Sequence, residues 1–163
     1  MQATAGRGSL ALSASLTLVK STVHRIAEGY QGDLRPGDRM LEVPARTFGA
    51  TASWSAARWS ASARVARASD WINYDRLALA AAYAADTAGG GGSGPSPVGA
   101  GQREFWRRYD GVTRLGARGE VRLWRTIALT LRGENLLDRQ LGEPDNVTVL
   151  PGRTVLAGVR TGF

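Results

Sequence analysis

Apolar and polar residues alternate along most of this chain, and the alternation recurs in six segments. A period of two is what a β-strand with unlike faces requires, because successive side chains point to opposite sides. The first segment, about 8–23, sets Leu10, Leu12, Ala14, Leu16 and Leu18 against Ser9, Ser13, Ser15 and Thr17. The second, about 44–56, sets Phe48, Ala50, Ala52 and Trp54 against Thr47, Gly49, Thr51, Ser53 and Ser55. The third starts at about 59, with Trp59, Ala61, Ala63 and Val65 opposite Ser60, Ser62 and Arg64, and reads as able to continue to Tyr83. The Ala-rich patch from Leu77 to Tyr83 also suits a helix by propensity, although strand is the expectation here. In the fourth, about 103–122, Leu115, Ala117, Gly119 and Val121 oppose Arg114, Gly116, Arg118, Glu120 and Arg122. The fifth, about 125–137, sets Ile127, Leu129 and Leu131 against Thr126, Thr130, Arg132 and Glu134. The sixth runs from Gly152 to Phe163, with Val155, Ala157, Val159, Thr161 and Phe163 on one face and Thr154, Leu156, Gly158, Arg160 and Gly162 on the other.

The connections are of two kinds. Segments two and three join within 55–58, and segments four and five near 123–125. The other connections, roughly 24–43, 84–102 and 138–151, are long and hold His24, Pro36, Gly89-Gly-Gly-Gly-Ser-Gly-Pro95 and other turn residues. This alternation of long and short places every long loop at one end of an antiparallel meander. Outer-membrane barrels are built that way, with short turns on one side and long loops on the other. The aromatics also divide by end: Trp54, Trp59, Trp124 and Phe163 at the short-turn end, and Phe48, Trp71, Tyr74, Phe105, Trp106 and Tyr109 toward the long loops. The twelve steps from Trp59 to Trp71 cover about 40 Å at roughly 3.3 Å each. Tilted by about 40°, they rise roughly 30 Å, near the apolar band of about 25 Å plus its interfaces. Two aromatic girdles are therefore expected. Arg67 and Arg107 break the parity near the long-loop rim, where an arginine can snorkel.

Composition narrows the reading further. The 163 residues suffice for one domain, and Gly, Ala, Ser and Thr are abundant, which suits thin, closely packed β-structure. No run of about 18 apolar residues exists, so no transmembrane helix is expected, which says nothing against a barrel. Cysteine is absent, which removes disulfides and thiolate metal sites. The net charge of +7 invites a nucleic-acid reading, but all basic residues except Lys20 are arginines, scattered from Arg7 to Arg160 with carboxylates between them. No nucleic-acid partner is expected. His24 is the single histidine, so neither a two-His metal site nor a Ser-His-Asp arrangement is assembled, and no enzyme activity or cofactor is expected.

The last two segments read "TLRGENLLDRQLGEPDNVTVLPGRTVLAGVRTGF". This resembles the C-terminal end of TonB-dependent outer-membrane receptors, whose penultimate strand ends in Asn-Leu-x-Asp and whose last strand opens with Pro-Gly-Arg and ends in Phe. The matching residues are Asn135, Leu136 and Asp138, then Pro151, Gly152 and Arg153, then Gly158 and Phe163. The stretch "LRPGDRMLEVPARTFGATASW" is also similar to that family, in which a Gly, a Pro and a Thr at fixed spacing lead a descending strand. Two positions depart from the pattern: Leu141 stands where the family usually has Tyr, and Thr161 where it has a large apolar residue.

The resemblance implies an all-β fold: an antiparallel up-and-down meander of about six strands forming part of a transmembrane β-barrel. It implies that residues 1–163 are the C-terminal part of such a barrel, with the plug domain and signal peptide absent. Met1-Gln-Ala-Thr-Ala-Gly-Arg7 indeed lacks the basic start and apolar stretch of a secretory leader. Receptors of this family close about 22 strands around a plug and take up a siderophore, cobalamin or carbohydrate, using energy delivered through TonB. The implied partners are outer-membrane lipid, the barrel-assembly machinery, which reads the last strand and Phe163, and TonB through the missing N-terminal part. The motif residues themselves are expected to be structural, with Asn135 and Asp138 closing a strand as it enters a loop. Two other readings stay open: a small self-contained outer-membrane barrel serving as pore or adhesin, and a soluble β-sandwich binding module.

Overall fold

The computed structural model describes residues 1–87, 94–140 and 146–162. Seven strands form one antiparallel sheet in the order β1 (Gln2–Arg7), β2 (Leu10–Leu18), β3 (Arg46–Ser55), β4 (Trp59–Ala68), β7 (Val112–Arg122), β8 (Ile127–Glu134) and β9 (Thr154–Thr161). Between β4 and β7 the chain adds β5 (Trp71–Tyr74), a helix α1 (Arg76–Thr87), a short 3-10 helix (Gly99–Phe105) and β6 (Trp106–Tyr109), and β5 pairs with β6. Each strand of the sheet pairs with its nearest sheet neighbour in sequence, so the expected up-and-down meander is present. The sheet is open, because β1 and β9 lie at opposite edges.

Register carries the alternation from strand to strand. The pairs Ala5–Leu12, Leu12–Ala52, Ala52–Ala63, Ala63–Ala117, Ala117–Gly133 and Gly133–Val155 form one row across all seven strands. A neighbouring row runs Leu10, Trp54, Ala61, Gly119, Leu131 and Ala157. Opposed residues share a face, so the separate apolar stripes fuse into one apolar surface. The alternate rows hold Ser53, Ser62, Arg118 and Arg132, and Ser60, Glu120, Thr130 and Gly158. A slip of one residue at any pairing would turn one side of the sheet inside out.

Among the described residues no second layer covers the apolar surface. Leu10, Leu12, Phe48, Trp54, Trp59, Val121, Leu129, Leu131, Val155 and Val159 are all exposed. Leaving such a side chain in water forfeits about 1.5–3 kcal/mol relative to burying it. A soluble sandwich would cover this face with its second sheet; among the described residues nothing covers it.

Three sequence expectations need correction. A strand precedes the six, because Gln2–Arg7 folds back through Gly8, whose φ of 61° supplies the left-handed turn. Its short Ala-Thr-Ala-Gly alternation is too small in contrast to be read as a strand. The third segment does not continue as strand to Tyr83: β4 ends at Ala68, β5 at Tyr74, and α1 follows. Asp75 starts the helix by accepting the Ala78 amide at 3.0 Å, and the intrinsic preference of Ala and Leu then wins because no strand among the described residues lies alongside to pair. The fourth segment is likewise divided, with the 3-10 helix and β6 before β7.

The break between β4 and β5 faces the break between β6 and β7, so the two hairpin arms bend together. Gly111 makes this possible: a Cβ there would lie 2.6 Å from the carbonyl oxygen of Ala68. Beyond the bend, β5, β6 and the 19–45 connection build a cap at the long-loop end. It is there that Trp71, Phe105, Asp33 and Asn73 are buried, whereas the wall's buried apolar side chain is Ala128.

With two open edges and an uncovered apolar face, the isolated chain is expected to aggregate in plain buffer and to disperse only in detergent. Sedimentation in both media checks this. A monodisperse monomer without detergent would show that the uncovered apolar face and open edges do not drive association.

Candidate functional site

Two arrangements of polar side chains stand above the wall. One is the cap. Arg103 grips Asp38 with both terminal guanidinium nitrogens, Nη1 at 2.6 Å and Nη2 at 2.8 Å, and Nη1 also donates to the Asp33 carbonyl at 2.9 Å. Its guanidinium stacks 4.4 Å over the Trp106 ring. Forked, charge-assisted pairing of this kind is stronger and more directional than a neutral hydrogen bond. Trp106 Nε1 donates to the Asp33 carboxylate at 2.7 Å, and the Tyr74 hydroxyl donates to the same oxygen. A buried carboxyl group is tolerated only when hydrogen-bonded, and these two donors meet that need. Asn73, fully buried, donates to Glu42 at 3.1 Å, and Arg76 reaches the same Glu42 oxygen at 2.9 Å.

A second tier ties the cap to the wall's rim. Asp70, at the bend, takes Arg39 and Arg108, each at 3.2 Å. Asp75 takes Arg107 at 3.3 Å and the Asn146 amide at 2.6 Å, while Asn146 in turn accepts the Arg76 backbone N–H. Electrostatics follow from these partners. The Arg103 guanidinium holds the Asp38 carboxyl below the usual carboxylate range, and Arg39 does the same for Asp70. The Ala78 amide, aided by Asn146 and Arg107, lowers Asp75. Burial, reinforced by the neighbouring Asp33 carboxylate, pushes the Tyr74 phenol upward.

These contacts correct the expectation of a second aromatic girdle. Phe48 does lie on the apolar face and is exposed. Trp71, however, is 3% exposed, stacked parallel to Tyr109 inside the cap, and Phe105 is buried with it. The bend after Ala68 resets the alternation, so counting straight on from Trp59 misplaces Trp71. At the short-turn end Trp54 and Trp59 meet edge to face on the apolar side, and Trp124 is exposed. Arg67 donates to Thr113 at 2.8 Å on the rim, whereas Arg107 belongs to the cap through Asp75.

The other arrangement gathers most of the C-terminal motif. Asn135 and Asp138 both have positive φ, 47° and 54°, and turn the chain out of β8. The Asn135 amide donates to the carbonyls of Arg139 and Pro151, at 3.0 and 2.9 Å, so it bridges the two ends of the last long connection. Asp138 accepts the Arg153 backbone N–H at 2.7 Å. A Cβ on Gly152 would sit 2.8 Å from the Asp138 carboxylate, so any other residue there would push that carboxylate aside. Leu136 donates its backbone N–H to Leu115 and lies over Gly133. Six of the motif residues, Asn135, Leu136, Asp138, Pro151, Gly152 and Arg153, thus meet at one place. Gly158 stands apart on β9, opposite Thr130, and Phe163 and Leu141 lie outside the described residues.

No family model matches the chain, and no curated protein matches it significantly. Solved structures do. The siderophore receptor PirA from Acinetobacter baumannii superposes with a TM-score of 0.64 at 14% identity, covering 98% of this chain and 21% of the receptor. The ferric enterobactin receptor PfeA from Pseudomonas aeruginosa, in complex with BCV-L6, gives a TM-score of 0.58 at 18% identity, covering 99% of this chain and 22% of that one. A mutant of the same receptor gives 0.57 at 17% identity over 96% and 20%.

The chain thus spans about a fifth of each receptor it matches. At such identities the likeness is one of fold, and it agrees with the resemblance carried by the C-terminal motif.

Among the described residues no group of three metal-ligating side chains is present. The cap residues Asp33, Asp38, Glu42, Asn73 and Arg103 escape sequence reading, since Arg103 and Asp38 lie 65 positions apart and no local pattern joins them.

Because Asp38, Asp70 and Asp75 are lowered in the fold, each stabilises the cap above the ordinary carboxylate range, and that support is lost as pH falls through the lowered values. Tyr74, raised in the fold, acts in the opposite sense: its support is present below the ordinary tyrosine range and is lost in strong alkali. Near-UV circular dichroism in detergent is expected to report loss of cap packing below about pH 4 and again above about pH 10. Asp38→Asn is expected to destabilise the cap by about 1.5–3 kcal/mol, read as faster proteolysis within 19–45. An unchanged cleavage rate would remove the Arg103–Asp38 pair from its place as the cap's anchor. The chain carries the fold of a segment of the siderophore-receptor structures it matches, with a polar cap at its long-loop end.

Proposed function

We propose that this chain is a C-terminal wall segment of an outer-membrane β-barrel receptor. In the whole protein the receptor takes up a scarce ligand of the siderophore, cobalamin or carbohydrate class. The observation that carries this reading is the single apolar surface, continuous over seven strands, bare of protein and bounded by two open edges. In a bilayer every backbone polar group must be paired within the protein, which an open sheet cannot achieve. Further strands from the same polypeptide therefore complete the wall on both sides. Lipid covers the apolar face, the short turns face the periplasm, and the cap lies on the outer surface.

The cap supports a receptor more than a simple pore. A pore gains nothing from a loop assembly held by buried polar contacts, whereas a ligand-gathering rim needs loops fixed in place. Energy coupling through TonB, and the plug that responds to it, belong to parts of the protein outside these residues. The gathered motif, Asn135, Leu136, Asp138, Pro151, Gly152 and Arg153, holds the last strand in register, with Gly158 opposite Thr130. The assembly machinery engages that strand at Phe163.

Two neighbouring positions on β3 test the face assignment with one side chain. In the full-length receptor, Ala52→Arg puts a charge toward lipid near mid-strand and is expected to cost about 2–4 kcal/mol. Ser53→Arg puts the same charge toward the lumen and is expected to be tolerated. Heat-modifiable mobility in outer-membrane fractions reads both. Equal damage from the two variants would reject the barrel assignment.

A further inference from the structure

The two ends of the sheet differ in charge. Toward the long loops basic and acidic side chains balance, four of each in 19–45 and four against five over 69–87 and 94–111. There Arg39, Arg76, Arg103 and Arg107 each meet a carboxylate. The short-turn end, residues 6–10, 54–60, 121–127 and 161–162, holds Arg7, Arg58, Arg122 and Arg125 and no acidic side chain. These four guanidinium groups have no partner among the described residues.

Register fixes where that charge stands. Arg7 pairs with Leu10, and Leu10 with Trp54, so Arg7 shares the apolar face at its edge. Arg58 and Arg125 belong to the tight turns, beside Trp59 and Trp124. Arg122 falls with Glu120 on the polar face and takes no part. The Trp54 indole N–H donates to Ser9 at 2.8 Å, whereas those of Trp59 and Trp124 have no partner among the described residues. Trp59 also lines an apolar groove of about 620 Å³ with Ala61, Gly119, Val121, Leu129 and Val159.

Guanidinium and indole donors at the edge of an apolar groove fit a phosphate that carries hydrocarbon. A free anion would gain nothing from the groove, and an acidic protein surface would leave Arg7 facing hydrocarbon. We propose that the short-turn rim binds anionic phospholipid. One headgroup phosphate sits between Arg58 and Arg125 with an acyl chain in the groove, and Arg7 beside Trp54 holds a neighbouring one. The inference rests on the barrel reading above, and adds the headgroup class and the place where it is held.

The test uses the full-length receptor in detergent mixed with equal amounts of phosphatidylglycerol and phosphatidylcholine. Native mass spectrometry counts the lipid retained, and heat-modifiable mobility monitors the barrel. Phosphatidylglycerol adducts are expected to outnumber phosphatidylcholine adducts several-fold. Arg7→Gln combined with Arg58→Gln and Arg125→Gln is expected to abolish that preference; Arg58→Gln with Arg125→Gln serves the same purpose if the triple variant does not assemble. Lys20→Gln with Arg25→Gln, an equivalent loss of charge at the long-loop end, is expected to leave it intact. A Cβ on Gly119 meets nothing closer than 4.0 Å, so Gly119→Leu fills the groove and is expected to lower retention of both lipids several-fold.

Equal retention of the two lipids, or a preference that survives the glutamine variants, would overturn the proposal while the band shift still supported the barrel. A preference lost with Lys20 and Arg25 would do the same by moving the contact to the other end. Unchanged retention in Gly119→Leu would leave a free anion as the occupant and overturn it too. Loss of the band shift in the unsubstituted receptor would overturn both readings.

Discussion

Backbone pairing in unbroken register is the constraint from which the rest of this structure follows. A single sheet has no interior, so apolar burial between layers cannot hold it together, and the ladder must do so. Residue parity is conserved through every pairing from β1 to β9. The strands need no large side chains to achieve this. Ala52, Ala63, Ala117 and Gly133 meet in one row, and their small size lets that face stay smooth. The bulk is reserved for the rims and for the strands near the edges.

The cap obeys different physics. Its core is small, Trp71 and Phe105, and it is organised around polar groups that have left water: Asp33 and Asn73. Such groups must be satisfied individually, and each partner comes from a distant part of the chain. That makes the cap geometrically specific, because a displaced loop leaves a donor or acceptor unpaired. The bend at Gly111 separates the two regimes. Below it, the sheet tolerates any residue of the right polarity; above it, identity matters atom by atom.

What was legible in the sequence divides along the same line. The six strands from Leu10 to Thr161, the tight turns and the long-loop end follow from a period of two, which reports local geometry. The C-terminal motif could be read because Asn135, Asp138 and Gly152 act on backbone a few residues away or just across one connection. Strand β1 was missed because alanine, threonine and glycine give little contrast between faces. Helix α1 was misread because Leu77 to Tyr83 suits both structures, and the deciding fact is the lack of a pairing partner. Trp71 was misplaced because one irregular step at Ser69 and Asp70 shifts everything beyond it. Asp33, Asp38 and Arg103 were invisible because their meeting is a property of the folded chain.

The bare alternation of the wall also bears on how such a chain changes over time. At most wall positions the requirement is one binary choice, apolar outward or polar inward, and many residues satisfy each. Substitutions of matching polarity leave the ladder untouched, so the specific letters can turn over almost completely while the backbone path endures. A superposition over 98% of the chain at 14% identity shows how far one backbone path can be shared by two chains with few letters in common. For walls of this kind, one shape is compatible with very different spellings.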